Sequence, residues 1–206
     1  MSGLRERKKR ATRIALRDAA MDLFARQGFT ATTIDQIAAA AEVSRATVLN
    51  YFATKEDIVF GDAPAAMEHL RATLDARPAD QGTIDAFRGW LLALAELGGW
   101  IEPELVLQHR LSAEAPAVAA RQLALHQVME RIIAAALVAE LGPSHTMAAE
   151  LAGASLLAGV RVAEETAAER MRETGVALDQ AGIDELLNTA VTFAEAGIVA
   201  LTRRTP

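Results

Sequence analysis

The residues best suited to chemistry lie in one short stretch, Ser44-Arg45-Ala46-Thr47-Val48-Leu49-Asn50-Tyr51-Phe52. Read as a helix, it turns Val48 and Phe52, four residues apart, towards a core. Arg45, Ala46, Leu49 and Asn50 then point outward. An arginine fork matches the two acceptors of a guanine, and an asparagine amide matches adenine or a phosphate. Ala46 and Leu49 can touch a thymine methyl. Thr47, Tyr51 and Lys55 bring hydroxyls and a charge of the kind that grips phosphates. An outward leucine between polar neighbours is out of place in water and well placed in a DNA groove.

Such a helix needs elements to position it, and the flanking sequence supplies them. A helix is expected from about Thr12 to Gln27, with Ile14, Leu16, Ala20, Leu23 and Phe24 as its apolar stripe and Gly28 as its stop. Thr33-Ile34-Asp35-Gln36 has the form of a capping box. It opens a short helix, Ile34 to Ala40, followed by the turn Ala41-Glu42-Val43. Ser44 is a second N-cap and starts Arg45 to Phe52. Thr54 is a third, with Glu56 and Asp57 favourably placed at the positive end of the next helix dipole. Helices this short do not stand alone in water, so they must pack on the first helix through Leu23, Phe24, Phe29, Ile37, Val43 and Val48. Two short helices joined by a tight turn form a helix-turn-helix.

Charge agrees with a polyanionic partner for this end of the chain. Residues 1–55 hold ten basic and five acidic residues, a net +5. The remainder holds eleven and twenty-two, a net −11, which gives the overall −6 of the 206-residue chain. A basic head on an acidic body places nucleic acid at the head alone. Residues 1–10, charged and without periodicity, read as a disordered basic arm. Domain boundaries follow at 11–60 for the helix-turn-helix and 61–206 for the rest.

In combination, Thr32-Thr33-Ile34-Asp35-Gln36-Ile37-Ala38, Val43-Ser44-Arg45-Ala46-Thr47 and Asn50-Tyr51-Phe52-Ala53-Thr54-Lys55-Glu56-Asp57 resemble the DNA-binding domain of the tetracycline-repressor (TetR) family. The resemblance covers about residues 10–60. It implies an all-α homodimer that binds a palindromic operator in double-stranded DNA and usually represses. It further implies that Arg45, Ala46, Thr47 and Leu49 face bases or nearby sugar-phosphate, while Thr33, Asn50, Tyr51 and Lys55 mainly hold phosphates. Two positions depart from the family pattern. Glu42 stands where glycine is frequent, at a cost of about 1 kcal/mol if φ is positive there, so a slightly rearranged turn is expected. Leu49 stands where tyrosine is frequent, which removes a hydrogen bond and alters the expected operator.

Beyond residue 60 the sequence reads as helix after helix, near 64–76, 84–97, 103–114, 117–141, 145–173 and 183–203, with Gly- and Pro-containing breaks between. The whole is therefore expected to be all-α, with a C-terminal helical domain that binds a ligand and dimerises. The resemblance implies a small-molecule effector there. Candidate lining residues are Met67, Leu70, Trp90, Leu94 and Trp100 from the earlier helices, and Leu107, His109, Arg110, Met129 and Ile133 from the later ones. Taken singly, each reads first as an ordinary core residue. Leu105 to Met129 more faintly resembles actinobacterial members of the family associated with acyl-CoA-like ligands. In the last two helices, Leu151, Ala154, Ala158 and Val162 form one stripe and Leu156, Gly159, Val160 and Ala163 another. Leu187, Ala190, Val191, Ala194, Gly197, Ile198 and Leu201 line the final helix. Two such helices from each subunit make a four-helix dimer interface; the alternative is that they cover only their own core.

Other classes find little support. With no cysteine there are no disulfides or thiolate metal sites, and the four histidines fall on separate helices without metal-ligand spacing. No Gly-rich phosphate loop occurs, Glu164-Glu165 reads as a solvated face, and no cofactor is implied. No stretch reads as a membrane span and no signal peptide opens the chain, so a cytoplasmic protein is expected. A DNA-binding activator or adaptor without an effector is the alternative reading, and a helical enzyme a remote one.

Overall fold

A computed structural model describes residues 2–61, 63–96, 103–176 and 178–202. All regular elements among them are helices: α1 (Ser2–Gln27), α2 (Ile34–Ala40), α3 (Arg45–Tyr51), α4 (Lys55–Val59), α5 (Ala63–Asp75), α6 (Thr83–Leu94), α7 (Pro103–Glu114), α8 (Pro116–Leu141), α9 (Thr146–Thr174) and α10 (Gln180–Thr202), with one 3-10 turn at Pro143–His145. The all-α expectation holds. The basic segment expected as a disordered arm is instead helical from Ser2, the first turns of α1. Its Arg and Lys residues carry good intrinsic helix propensity.

The chain forms two compact units. The first comprises residues 1–62 together with 107–123, a boundary that sequence reading placed simply at residue 60. Its core gathers Leu16, Ala20 and Phe24 of α1, Ile37 of α2, Val48 and Phe52 around α3, and Ile58 and Val59 of α4. Leu111, Ala115 and Val118 complete it from α7 and the start of α8. Phe24 and Phe29 pack ring to ring at 5.2 Å. Helix α1 ends at Gly28, whose φ of 81° is a left-handed value that a side chain would disfavour. Gln108 donates to the Val59 carbonyl at 3.2 Å, and Arg121 pairs with Asp57 at 2.7 Å. These ties fix the late segment to α4.

The second unit comprises residues 63–106 and 124–206. Met67, Leu70 and Leu74 of α5, and Phe87, Trp90 and Leu91 of α6, are buried with Ile133 and Leu137 of α8. Helix α6 begins at Gly82, which has no capping side chain. Glu140 of α8 takes that role: it accepts from the Thr83 amide at 2.7 Å and the Thr83 hydroxyl at 2.6 Å. A carboxylate at a helix N-terminus meets both the free amides and the dipole. Helices α9 and α10 pack so closely that a methyl group on Gly159 would lie 2.8 Å from the Ala190 side chain. Arg88 of α6 reaches Glu195 of α10 at 2.9 Å.

By length and composition the helical stretch Pro143–Thr174 is apolar enough to cross a membrane, with a window of mean hydropathy 1.2. The core helix of a folded domain passes the same test, and 44% of that window is buried. Its apolar residues divide between two stripes. Leu156, Val160 and Ala163 are buried, whereas Leu151, Ala154, Ala158 and Val162 are exposed.

Candidate nucleic-acid interface

Helix α3 is held from both ends. At its start Ser44 caps: its hydroxyl accepts from the Thr47 amide at 3.0 Å and lies 2.8 Å from the Thr47 hydroxyl. At its end Arg13 of α1 donates to the Tyr51 carbonyl at 2.7 Å and to the Gly61 carbonyl at 2.5 Å, with its guanidinium 4.2 Å from the centre of the Phe52 ring. Val48 and Phe52 anchor the inner face in the core. What remains outward is Arg45, Ala46, Leu49 and Asn50, all exposed, with Leu49 41% exposed. Thr47 and Tyr51 are half-buried beside them.

The turn before α3 aims it. Val43 donates its amide to the Ala38 carbonyl at 2.9 Å and Glu42 to Ala39 at 3.2 Å, the paired bonds of a Schellman motif at the end of α2. The motif needs a left-handed residue between helix and exit, and Glu42 takes it with φ 53°. The turn is therefore not rearranged to suit the glutamate; the backbone keeps the glycine-like conformation and bears the strain. Val43 then packs partly buried against the core, beside buried Ala38. Thr33 caps α2 in a reciprocal box: its hydroxyl accepts from the Gln36 amide at 3.2 Å, and its own amide donates to the Gln36 side chain at 2.8 Å. Thr54 and Asp57 form a second such box at the start of α4.

Lys55, expected to hold a phosphate, has partners within the fold. Its ammonium donates to the carbonyls of Phe29 at 2.6 Å and Thr32 at 2.8 Å and sits 4.1 Å from the centre of the Phe29 ring. Burial lowers its pKa, with Glu56 opposing. These bonds make it a clamp on the loop between α1 and α2, because the carbonyls there have no helical partners. The sequence had no local signal for this: the partners lie 23 and 26 residues away. It was equally silent on Arg13 and on Asp35, whose carboxylate accepts from Arg45 at 2.8 Å.

The described residues among the proposed pocket candidates fall in both units. Leu107, His109 and Arg110 belong to the first unit, where Leu107 packs on the core and Arg110 donates to the Ala25 carbonyl at 3.4 Å. Met67, Leu70, Trp90 and Ile133 are buried in the second unit, with Leu94 and Met129 half-buried. Trp90 donates its indole N–H to His69 at 3.1 Å and stacks near Phe87. Trp100 lies outside the described residues. On α10, Leu187, Val191, Ala194 and Ile198 are buried within the subunit, Ala190 is buried at the floor of the groove beside α9, and Gly197 and Leu201 are exposed. Glu164, read as solvated, is half-buried, and desolvation, helped by Glu165 and opposed by Arg161, raises its pKa to about 8.

Residues 16–60, which hold α2, α3, α4 and the C-terminal part of α1, match the family model described as bacterial regulatory proteins, tetR family. The match identifies this segment, not the whole chain, with that family. The chain is 36% identical over 143 residues to the HTH-type transcriptional regulator TcmR of Streptomyces glaucescens, a match covering 65% of this chain and 63% of TcmR. It thus spans less than two thirds of that relative's length. Among solved structures, the SmeT–triclosan complex aligns with TM-score 0.62 at 19% identity, covering 90% of each chain. Thermus thermophilus FadR, a TetR-family repressor in complex with lauroyl-CoA, aligns with TM-score 0.58 at 22% identity, covering 90% of this chain and 94% of FadR. At these identities the two neighbours establish a shared fold.

Proposed function

We propose that this chain is a transcriptional regulator of the tetR family, most simply a repressor, which binds a palindromic DNA operator as a homodimer in the cytoplasm. The observation that carries the reading is the outward face of α3. Arg45, Ala46, Leu49 and Asn50 are exposed on a helix fixed by Ser44, Arg13 and a buried Val48–Phe52 anchor. A rigid helix with base-reading groups on its free side is what major-groove recognition requires. One such helix covers few base pairs, so specificity calls for two, spaced about one helical turn of DNA, roughly 34–36 Å.

The second copy has a place to dock. The stripe Leu151, Ala154, Ala158 and Val162 of α9 is exposed, and Phe193 of α10 beside it is 75% exposed. Between the two helices runs an apolar groove of about 410 Å³, lined by Ala158, Val162, Leu186 and Phe193 among others. An uncovered apolar surface of this kind favours association. We assign it to the dimer contact, to which α10 contributes Leu186, Ala190 and Phe193, and withdraw the other buried α10 residues from that role.

A small, largely apolar effector held by the second unit would release the DNA. Support comes from the ligands of the structural neighbours, triclosan for SmeT and lauroyl-CoA for FadR. A hundredfold change in operator affinity asks for about 2.7 kcal/mol of coupling between effector and DNA. Selection of binding sites from random duplexes tests the DNA reading. The full chain should enrich an inverted repeat; enrichment of no sequence at all would refute it.

A further inference from the structure

We infer that Asp35 is a specificity-determining residue: its carboxylate buttresses Arg45 for base reading and at the same time weakens binding to DNA of the wrong sequence. The inference rests on the DNA-reading role given to α3 above. Asp35 sits in the first turn of α2 and Arg45 in the first turn of α3, two helices locked together by the Schellman turn and the shared core. The Arg45 guanidinium gives one terminal N–H to Asp35 Oδ2 at 2.8 Å, and both side chains remain more than half exposed. A guanidinium carries five N–H donors in a fixed plane, and two suffice for the N7 and O6 acceptors of a guanine. Holding one terminal nitrogen therefore leaves the remaining donors free while restricting the rotamers of a long side chain. The arginine arrives at the groove already aimed.

The other cations near α3 emphasise this. Arg13 and Lys55 are engaged with backbone carbonyls of the fold. Arg45 is instead held by a charged group on the same exposed surface. A carboxylate there repels phosphates wherever the protein touches DNA. On the correct site, the well-aimed arginine offsets that repulsion. On other sequences nothing does. The pair acts on both terms of the specificity ratio, which is the quantity that matters against a genome of competing sites.

The test compares the wild-type chain with Asp35→Asn, Arg45→Ala and the double variant, on the duplex enriched by the wild type and on its scrambled counterpart. Each single base pair of the enriched site is also varied. Asp35→Asn keeps the size of the side chain at an exposed position, and a melting curve confirms that the fold is intact. Asp35→Asn should tighten binding to scrambled DNA several-fold and lower the operator-to-scrambled ratio about tenfold. It should relax the same base position that Arg45→Ala relaxes. In the double variant, preference at that position should fall no further than in Arg45→Ala alone. Equal tightening on both duplexes, with every base preference unchanged, would overturn the buttress and leave Asp35 as a source of repulsion only. Relaxation at a different base would overturn it as well, since Asp35 would then read a base itself. Failure of the wild-type chain to prefer any duplex would remove the DNA-reading function and the buttress with it, an outcome separate from these two.

Discussion

Replacing Glu42 by glycine is expected to stabilise the protein, although it deletes a side chain. Glu42 closes the Schellman turn between α2 and α3 with φ 53°, the one positive-φ residue other than glycine among those described. A left-handed backbone costs an L-residue about 1–2 kcal/mol, because Cβ crowds the following carbonyl. Glycine escapes that cost but loses about 0.5–1 kcal/mol more backbone entropy on folding. The difference leaves a gain of about 0.5–1 kcal/mol. Glu42 is exposed, so little packing is lost with it. Urea unfolding followed by circular dichroism at 222 nm provides the assay. With a slope of about 2 kcal/mol per molar urea, the midpoint should rise by roughly 0.25–0.5 M at unchanged slope. Glu42→Ala, which keeps Cβ, should give no such gain. A glycine variant less stable than wild type would refute the argument, because the glutamate would then contribute more than its conformation costs.

Lys55→Met keeps the aliphatic stem and removes the bonds to the Phe29 and Thr32 carbonyls. It should lower stability by about 1–2 kcal/mol, the range for bonds to a charged group discounted for partial exposure, while the salt dependence of DNA binding stays unchanged; a slope shallower by one unit would return Lys55 to the phosphates. Glu164, with its pKa raised to about 8, binds a proton in the folded chain at pH values where the unfolded chain has lost it. Its contribution is therefore fully present below pH 4.5 and fades as pH rises through 8, so stability should decline across this window and Glu164→Gln should flatten the decline in denaturation curves taken at each pH. Ala158→Glu, on the exposed stripe of α9, should split the dimer in sedimentation without unfolding the subunit, because association would bury an unpaired charge. A dimer that persists would place the contact elsewhere.

Much of the first unit was legible in the sequence because its signals are local. Thr33, Ser44 and Thr54 announce three helix starts by side chains that bond amides two or three residues on, and all three caps form. Leu49 was legible as an outward apolar residue because Val48 and Phe52 fix the inner face of a single short helix. What was not legible depends on distant partners. The ammonium of Lys55 looks like any basic surface residue until the loop 26 positions earlier is folded beside it. The segment 107–123 joins the first unit through Leu111, Ala115 and Val118, an apolar spacing that fits any helix-packed core and names no partner. The two stripes of α9 were both visible by periodicity. The sequence could not say which one faces its own α10, and the close approach at Gly159 decides that. Residues 2–10 were misread because charge was weighed above helix propensity, and α1 continues through them.

The central claim is that the free face of α3 reads base edges. Its most direct measurement is the affinity of Arg45→Ala for the enriched inverted repeat and for scrambled DNA, each at several salt concentrations. The account predicts a loss of about 1–3 kcal/mol on the repeat, roughly 5- to 150-fold, and a much smaller loss on scrambled DNA. Equal losses on the two duplexes would reduce Arg45 to a phosphate contact and contradict the assignment of α3 as the reading helix.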